Sequence, residues 1–395
     1  METISDPHAG AARAANCPAQ ACPVTASARA ADPGAFATLA AGLGPGPFAQ
    51  ISIFASPEAD LEALCRAAAA QYPRAVVVGC TTAGEITEAG YAEGQILAFA
   101  LPRAGFDVEM IVVPELDRLD TRRLIAEVLR ARQGLGLRAA DLASEFAVLL
   151  VDGLSGREDE LVGALSGALG AVPLIGGSAG DGGLFRRSLI WAGGRLWENA
   201  AALSLVRGRC EVRPFSIDHM RPTEARMVVT AADPARRAVA RINDEPAAAE
   251  YARLLGLPVE ALSPYVFAAH PVLARAGGRH HVRAIQGVDA SGALIFFAAI
   301  AEGLVLTLAE PGDIAAHLDA ALADLAAGGA PSAILGFDCI FRRIEATGRQ
   351  RARAVSEILA RHRVTGFSTY GEQIGAMHVN QTLTGFAFYP TEARR

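Results

Sequence analysis

The stretch that decides the fold is Val172–Asp181 (VPLIGGSAGD), and the chain contains two near-copies of it. The copies are Val76–Ile86 (VVVGCTTAGEI) and Val364–Ile374 (VTGFSTYGEQI). Each has a short apolar strand pattern, followed by glycine, hydroxyl side chains and an acid. Glycine lets a strand end turn sharply or approach a ligand closely, while hydroxyls and acids supply hydrogen-bonding groups. The sequence therefore predicts one local arrangement that is used three times.

Each copy also completes a predicted β-α-β unit. A separate apolar strand pattern and a helix-like run precede every motif, and strand start and motif lie roughly 30 residues apart. In chain order these patterns are Gln50–Phe54 with Pro57–Ala70, Phe146–Val151 with Arg157–Leu169, and Ser332–Phe337 with Arg351–Arg361. Turn signals at Gly193–Gly194 and Asp289–Gly292 predict two antiparallel hairpins. The fold class is α/β, with mixed sheets, flanking helices and repeated β-α-β units.

The length of 395 residues accommodates two domains with substantial cores. Residues 1–33 are rich in Ala, Pro, Asp and Ser and are predicted to form a disordered tail. Residues 34–240 and 241–395 are the two predicted domains.

Charge and hydropathy argue against a nucleic-acid partner, a membrane location and secretion. The net charge of −6 does not favour nucleic acid or an anionic membrane surface. The longest apolar run, Ala293–Ala301, is too short to span a bilayer, so no membrane insertion is expected. No apolar segment typical of a secretory signal follows Met1. We therefore expect a cytoplasmic protein.

Residue types also limit the chemistry. The sequence contains no lysine, which excludes a Walker-type phosphate loop and Schiff-base catalysis. The six cysteines are scattered without the spacing of a structural zinc site. Cys80 lies at a strand end among hydroxyls, so a cysteine-dependent enzyme is one alternative. Its counterparts in the other two copies, Gly177 and Phe367, argue against a shared catalytic thiol. We therefore predict a protein that is not an enzyme.

Several motifs together resemble a known family. The segments Gly79–Ile86, Asp152–Gly156 and Gly176–Asp181 are similar to the N-terminal FIST domain. The segments Phe337–Ile340, Gly366–Glu372 and His378–Thr382 are similar to its C-terminal companion. The motifs occur in the expected order, and the resemblance covers nearly all of the chain after the predicted tail.

The resemblance implies a sensory module for small ligands, with amino acids among the candidates. One bacterial branch, the NosP proteins, binds haem and senses nitric oxide, and it acts on histidine kinases or cyclic-di-GMP enzymes. The sequence shows no output domain of its own. A signal would therefore pass to a partner in trans, as in a two-component system. A sensor without haem remains the alternative.

The candidate ligand-binding residues are polar members of the three motifs and of the segment that follows the third. They are Thr81, Thr82, Glu85, Ser178, Asp181, Ser368, Thr369, Tyr370, Glu372 and Asn380. Acids, hydroxyls and backbone amides together suit an amphoteric ligand, with Arg283 and Arg342 as candidate partners for its anionic group. Haem would need an axial ligand, and His270, His281 and His378 are the alternatives.

Overall fold

A computed structural model describes residues 21–276 and 278–390, and three units of one topology account for most of them. The first unit contains β1 (Val24–Arg29), α1 (Ala35–Leu43), β2 (Phe48–Ala55), α2 (Leu61–Gln71), β3 (Val76–Thr81), β4 (Glu85–Thr87), β5 (Gly90–Ala92) and β6 (Gln95–Pro102). The second contains β7 (Phe106–Val113), α3 (Thr121–Arg138), β8 (Ser144–Asp152), α4 (Glu158–Leu169), β9 (Leu174–Ala179), β10 (Ile190–Ala192), β11 (Arg195–Trp197) and β12 (Ala201–Gly208).

The third unit is interrupted by an insertion. Its first strand is β13 (Glu211–Ile217). The insertion then contributes β14 (Met220–Asp233), β15 (Ala238–Ile242), β16 (Glu245–Pro246), α5 (Ala247–Leu255), α6 (Pro264–Ala269), β17 (Val272–Ala276), β18 (Arg279–Arg283), β19 (Ile285–Val288), β20 (Leu294–Phe296) and β21 (Val305–Pro311). The unit resumes with α7 (Ile314–Ala326), β22 (Ala333–Cys339), α8 (Ile340–Gly348), α9 (Ala352–Arg361), β23 (Val364–Thr369), β24 (Glu372–Ile374), β25 (Met377–Val379) and β26 (Leu383–Tyr389).

The repeated β-α-β units are confirmed. The pairs β2–β3, β8–β9 and β22–β23 are all parallel, and each is joined by helix on one side of its sheet. Two features of the connecting helices differ from the prediction. Helix α2 begins at Leu61 rather than Pro57, because the Asp60 side chain accepts the Ala63 amide at 2.9 Å and caps the helix there. Two helices, α8 and α9, connect β22 to β23 where one was predicted.

After its motif each unit sends a hairpin into the sheet of another unit. Hairpin β4–β5 of the first unit pairs with β23 of the third, and hairpin β24–β25 of the third pairs with β9 of the second. Hairpin β10–β11 of the second unit pairs with β3 of the first, which closes the ring. The resulting sheets have the orders β1-β6-β2-β3-β10-β11, β7-β12-β8-β9-β24-β25 and β13-β26-β22-β23-β4-β5. The units are therefore related by an approximate threefold arrangement.

The three sheets pack around one shared aromatic core. Phe54 and Phe367 have ring centroids 4.7 Å apart, and those of Phe146 and Phe386 lie 4.9 Å apart. Aromatic pairs at such spacings add to the stabilisation from buried area. The helices cover the outer faces of the sheets and form a separate apolar cluster with each sheet. No unit can bury both faces of its sheet without the other two.

The insertion forms a second sheet system of order β18-β17-β21-β14-β15-β20-β19, with β16 beside β15. The hairpin predicted around Asp289–Gly292 is confirmed as β19–β20, and that around Gly193–Gly194 as β10–β11. The insertion has its own apolar core and contacts the third unit through Phe297 and Phe341, whose centroids lie 5.2 Å apart. Within the described part of the chain, no helix has the length and apolar character needed to cross a membrane.

The predicted disordered tail extends too far. Val24–Arg29 forms strand β1, with Val24 opposite Ala100 on β6, so residues up to 33 are not all tail. Small Ala and Ser side chains conceal this strand, because they give a weak apolar pattern. The remainder of the predicted tail, residues 1–20, lies outside the described residues. The predicted division at residue 240 falls within β15, a strand of the insertion.

Candidate functional site

The three motifs come together at the ends of β3, β9 and β23. The Ala83 amide donates to Ser368 O at 2.9 Å, and the Gly180 amide donates to Thr81 O at 3.1 Å. The Tyr370 amide donates to Ser178 O at 3.2 Å, which completes a cycle through all three loops. We call residues 81–85, 178–182 and 368–372 the loop hub. The prediction that the motifs share one arrangement is confirmed at the level of backbone hydrogen bonding.

Two acids of the hub are held by hydroxyl groups of their own loops. Glu85 accepts from Thr82 Oγ1 at 2.5 Å, and Glu372 contacts Thr369 Oγ1 in the same relative position. Thr382 Oγ1 also donates to Glu372 at 2.8 Å. Burial raises the pKa of Glu85, and it raises that of Glu372 to about 8, although these hydroxyls oppose the shift. Glu372 is therefore mostly protonated at neutral pH.

The third acid has a different environment. Asp181 accepts the amides of Phe185, Arg186 and Arg187, each at 2.8 Å, and the Tyr370 hydroxyl also contacts it. Partial burial alone would raise the pKa of Asp181, but the hydrogen bonds from Tyr370 and the amides favour the charged form and lower it. Asp181 thus organises the loop that follows the second motif.

All the predicted ligand-binding side chains are buried. None exceeds 6% exposure, and Thr82, Glu85, Ser178, Ser368, Thr369, Glu372 and Asn380 are each 0% exposed. Most of these side chains hydrogen-bond within the hub or its surroundings. Some of these bonds hold one loop in shape, as between Thr82 and Glu85, while the contact of Tyr370 with Asp181 joins the third loop to the second. Direct contact between these side chains and a ligand stays a prediction.

An open cleft of about 540 Å³ borders the hub and is lined by all three units. We call it the junction cleft. The first unit contributes Ser56–Glu58 and Ala83–Glu85, the second contributes Gly182 and Gly183, and the third contributes α8. On α8 the lining residues include Ile340, Arg343, Ile344 and Thr347, which lie on one face of a helix. None of these four residues was among the predicted site residues, although their helical spacing is visible in the sequence.

Arg343 is the cation of the junction cleft. Its Nη1 and Nη2 both donate to Ala92 O at 3.0 Å, and its guanidinium lies 5.1 Å from the centroid of the Tyr91 ring. Glu93, at the rim, forms a salt bridge with Arg343 at 3.1 Å. Arg343 therefore holds the first unit's hairpin against α8 of the third unit, and both elements line the cleft.

A buried line of polar groups passes behind the cleft. Arg342 Nε donates to Asp338 at 2.6 Å, and Asp338 also contacts the Tyr91 hydroxyl. On the other side, Arg342 Nη1 lies 3.1 Å from His219 Nδ1, and His219 Nε2 lies 2.9 Å from Glu345. Arg342 was a candidate anion partner, but its side chain is 1% exposed and already paired with Asp338. In this arrangement Arg342 therefore serves the buried network, and its contact with a ligand anion stays a prediction.

The three candidate haem ligands lie on three different elements. His378 is 1% exposed on β25, His281 lies on β18 opposite Ala274, and His270 caps the C-terminus of α6. His378 Nδ1 lies 3.2 Å from Gln373 Nε2, an atom that can only donate. In this pairing Nδ1 accepts and Nε2 carries the proton.

Nor does the junction cleft supply an axial ligand. Among the described residues that line it, none is His, Cys, Met or Tyr. The junction cleft therefore provides no axial ligand for haem, and haem binding through the candidate histidines stays a prediction. Across residues 21–276 and 278–390, no group of three or more His, Cys, Asp or Glu side chains is placed to hold a metal ion.

The cysteines near the motifs are buried thiols. Cys80 is 0% exposed and Cys339 is 1% exposed. Burial raises the pKa of both thiols well above its ordinary range, whereas a nucleophilic cysteine needs a lowered pKa. The pKa of Cys80 is therefore shifted in the direction opposite to that of a catalytic thiol.

Comparison with known families agrees with this architecture. The family profile of the FIST N domain matches residues 50–245, and that of the FIST C domain matches residues 247–375. The chain belongs to the FIST family. FIST domains are sensor domains of signal transduction that bind small ligands. The hairpins exchanged around the loop hub link the two FIST domains, since β4–β5 lies in the first match and its partner β23 lies in the second. A search of curated proteins found no match.

Proposed function

We propose that this FIST protein is a sensor whose small polar ligand binds in the junction cleft. The observation that carries the proposal is that the cleft is lined by all three units at the hub where their loops are hydrogen-bonded together. A ligand there contacts the first unit's motif, the loop after the second motif and the third unit's helix α8 at once. Its binding energy depends on how these parts are spaced, so it favours one arrangement of the units.

The cleft lining indicates the chemistry of the ligand. Arg343 is the one cation among the described lining residues, while Glu58, Glu85 and Glu93 are the acids. Glu85 lies fully buried at the hub, and Glu58 and Glu93 are exposed. Apolar surface from Ile340 and Ile344 adjoins these groups. A polar ligand with both a cationic and an anionic group, such as an amino acid, is compatible with this set.

The signal passes to a separate protein in this proposal. The FIST resemblance favours a histidine kinase or a cyclic-di-GMP enzyme as that partner. All three units contribute residues to the walls of the cleft. Ligand binding can therefore alter the surface of any of the three. A pull-down of candidate kinases and cyclic-di-GMP enzymes with and without ligand would test the partner separately from ligand binding.

The experiment for the cleft is a thermal-shift screen of amino acids and related small molecules, followed by a blocking variant. Gly183 has nothing within 4 Å of the position of an added Cβ, so Gly183→Phe places a ring at the cleft. Gly287, on β19, has the same open surroundings outside the cleft, so Gly287→Phe is the matched control.

A ligand at 100 times its Kd stabilises the folded protein by about 2.7 kcal/mol. We expect Gly183→Phe to lose this stabilisation and Gly287→Phe to keep it. If both variants respond to the ligand as the wild type does, the ligand binds elsewhere and the cleft assignment is wrong.

Haem-based sensing of nitric oxide stays a prediction of the NosP resemblance. Its test is an absorption spectrum of protein purified with haem supplied, before and after nitric oxide is added to the ferrous form. A Soret band at near one haem per chain that shifts with nitric oxide would support it. The variants His270→Ala, His281→Ala and His378→Ala would then identify the ligand. Absence of stoichiometric haem would reject this function and leave the cleft proposal intact.

A further inference from the structure

Helix α4 of the second unit exposes glycines for which the chain itself gives no reason. Gly163 and Gly167 are one turn apart, and both are exposed to solvent. A Cβ added at either position would meet nothing within 4 Å. Glycine inside a helix is destabilising relative to alanine, because it loses more conformational freedom on folding. The two glycines therefore weaken α4 without making room for any described part of the chain.

The neighbouring helix α3 exposes leucines. Leu129 is 49% exposed and Leu137 is 77% exposed, whereas Leu124 and Leu135 of the same helix are buried. Gly134 is exposed as well, and a Cβ added there would also meet nothing within 4 Å. The solvent side of α3 therefore combines large apolar side chains with a bare stretch of backbone.

The two helices lie side by side on the outer face of the second sheet. Their buried side chains belong to one apolar cluster, and Arg132 Nη1 of α3 donates to Ala168 O of α4 at 2.8 Å. Leu129 is one helical turn before Arg132, and Gly167 directly precedes Ala168. Leu129 and Gly167 therefore border the same stretch of the groove between α3 and α4, which we call the helix groove.

Unpaired cations lie along α3. The exposed arginines of this helix that form no salt bridge with any described residue are Arg122, Arg123 and Arg130.

Few acids oppose this positive charge. Glu127 is the one acid in the sequence of α3, and it is half-buried. At the start of α4, Glu160 pairs with Arg157, and Asp159 accepts the Ala299 amide at 3.2 Å. The chain as a whole carries a net charge of −6, so the surface of α3 is opposite in sign to the whole.

We propose that the helix groove docks an acidic amphipathic helix of a separate protein. The bare positions on α4 let the backbone of a docked helix approach closely, and the exposed leucines of α3 contact its apolar face. Acids on its flank pair with the unpaired arginines. A second copy of the chain that presented the same groove would bring arginine against arginine, which disfavours that occupant. The inference goes beyond the proposed function, because no residue of the helix groove lines the junction cleft.

The probe is a fluorescein-labelled synthetic peptide of about 20 residues, which as a helix matches the length of α3. It carries leucine and alanine on one face and glutamate on both flanks, and a second peptide has lysine in place of every glutamate. Fluorescence anisotropy measures the binding of each peptide to the purified full chain. We expect saturable binding of the acidic peptide that weakens as the salt concentration rises, and no binding of the lysine peptide.

Two variants test the groove itself. Gly167→Leu should weaken the affinity for the acidic peptide about tenfold or more, because the new side chain fills the groove. Its melting temperature should be no lower than that of the wild type, since leucine is the better helix former and the site is open. Arg130→Glu should weaken the affinity by a similar factor through charge. The matched controls, Gly287→Leu on β19 and Arg353→Glu on α9, should bind the acidic peptide as the wild type does.

Three results would overturn the proposal. One is a wild type that does not bind the acidic peptide, and another is full affinity in both Gly167→Leu and Arg130→Glu. The third is a wild-type dimer in analytical ultracentrifugation that Gly167→Leu dissociates, because a second copy would then occupy the groove. None of these results affects the cleft proposal, whose blocking variant is at Gly183.

Discussion

Glu372→Gln should remove most of a large pH dependence from the stability of this protein. Glu372 is fully buried in the loop hub, where burial raises its pKa from an ordinary 4.5 to about 8. An acid with a raised pKa binds its proton more tightly in the folded state. Its stabilising contribution is therefore fully present below pH 4.5 and is lost as the pH rises through about 8.

The magnitude follows from the interval between the two pKa values. Stability changes by about 1.4 kcal/mol per pH unit while only the unfolded state has lost the proton. Across the interval from 4.5 to about 8, the wild type should lose about 5 kcal/mol. Glutamine does not titrate, so the stability of E372Q should not fall over this pH interval, whatever its value at low pH.

Urea denaturation at several pH values between about 5 and 8 measures the effect. The fluorescence of Trp191, which is 2% exposed, can report unfolding of the first sheet. The control is Glu357→Gln, because Glu357 is an exposed glutamate on α9. We expect E357Q to follow the wild type and E372Q to diverge from it as the pH rises. Curves for E372Q and wild type that stay parallel within about 1 kcal/mol would refute a protonated Glu372.

Two further predictions concern the packing around the hub. Gly371→Ala should destabilise the protein by about 1–3 kcal/mol, because the added Cβ would lie 2.3 Å from His378 Cε1 and the imidazole would have to move. A melting temperature equal to that of the wild type would contradict this close approach. Arg342→Met should cost about 3–5 kcal/mol in urea denaturation, because it leaves the buried carboxylate of Asp338 unpaired. Arg353→Met, which removes an arginine that is 91% exposed, should change stability by less than about 1 kcal/mol, and equal losses in the two variants would contradict the buried pair.

Much of the fold could be predicted because its signals are local. The strand, glycine, hydroxyl and acid pattern in Val172–Asp181 and its copies identified three β-α-β units, and all three are parallel pairs. The choice of partner for each hairpin was not predictable. Pairing between β4 and β23 joins residues such as Glu85 and Phe367, which are far apart in sequence, and no periodicity within either segment encodes it.

The candidate site was predictable only in part, because it too depends on contacts between segments that are distant in the chain. Residue type identified the acids and hydroxyls, but not whether they face a ligand or one another. Thr82 hydrogen-bonds to Glu85, three positions later in the chain, and Thr369 contacts Glu372 at the same spacing. Arg343 was missed because it acts from a helix in a different unit, and adjacent Arg342 attracted the anion-binding interpretation although it points into the buried network.

The exchange of hairpins also constrains the order in which the sheets can be completed during synthesis of the chain. The first sheet is incomplete until β10–β11 has been made, and the second waits for β24–β25, close to the end of the described chain. The hairpin β4–β5, which completes the third sheet, is in contrast synthesised before the third unit. The second unit must therefore remain open on the ribosome while the insertion and the last hairpin emerge. Completion of the ring is a late event, so translation of the whole chain comes before a fully formed sensor.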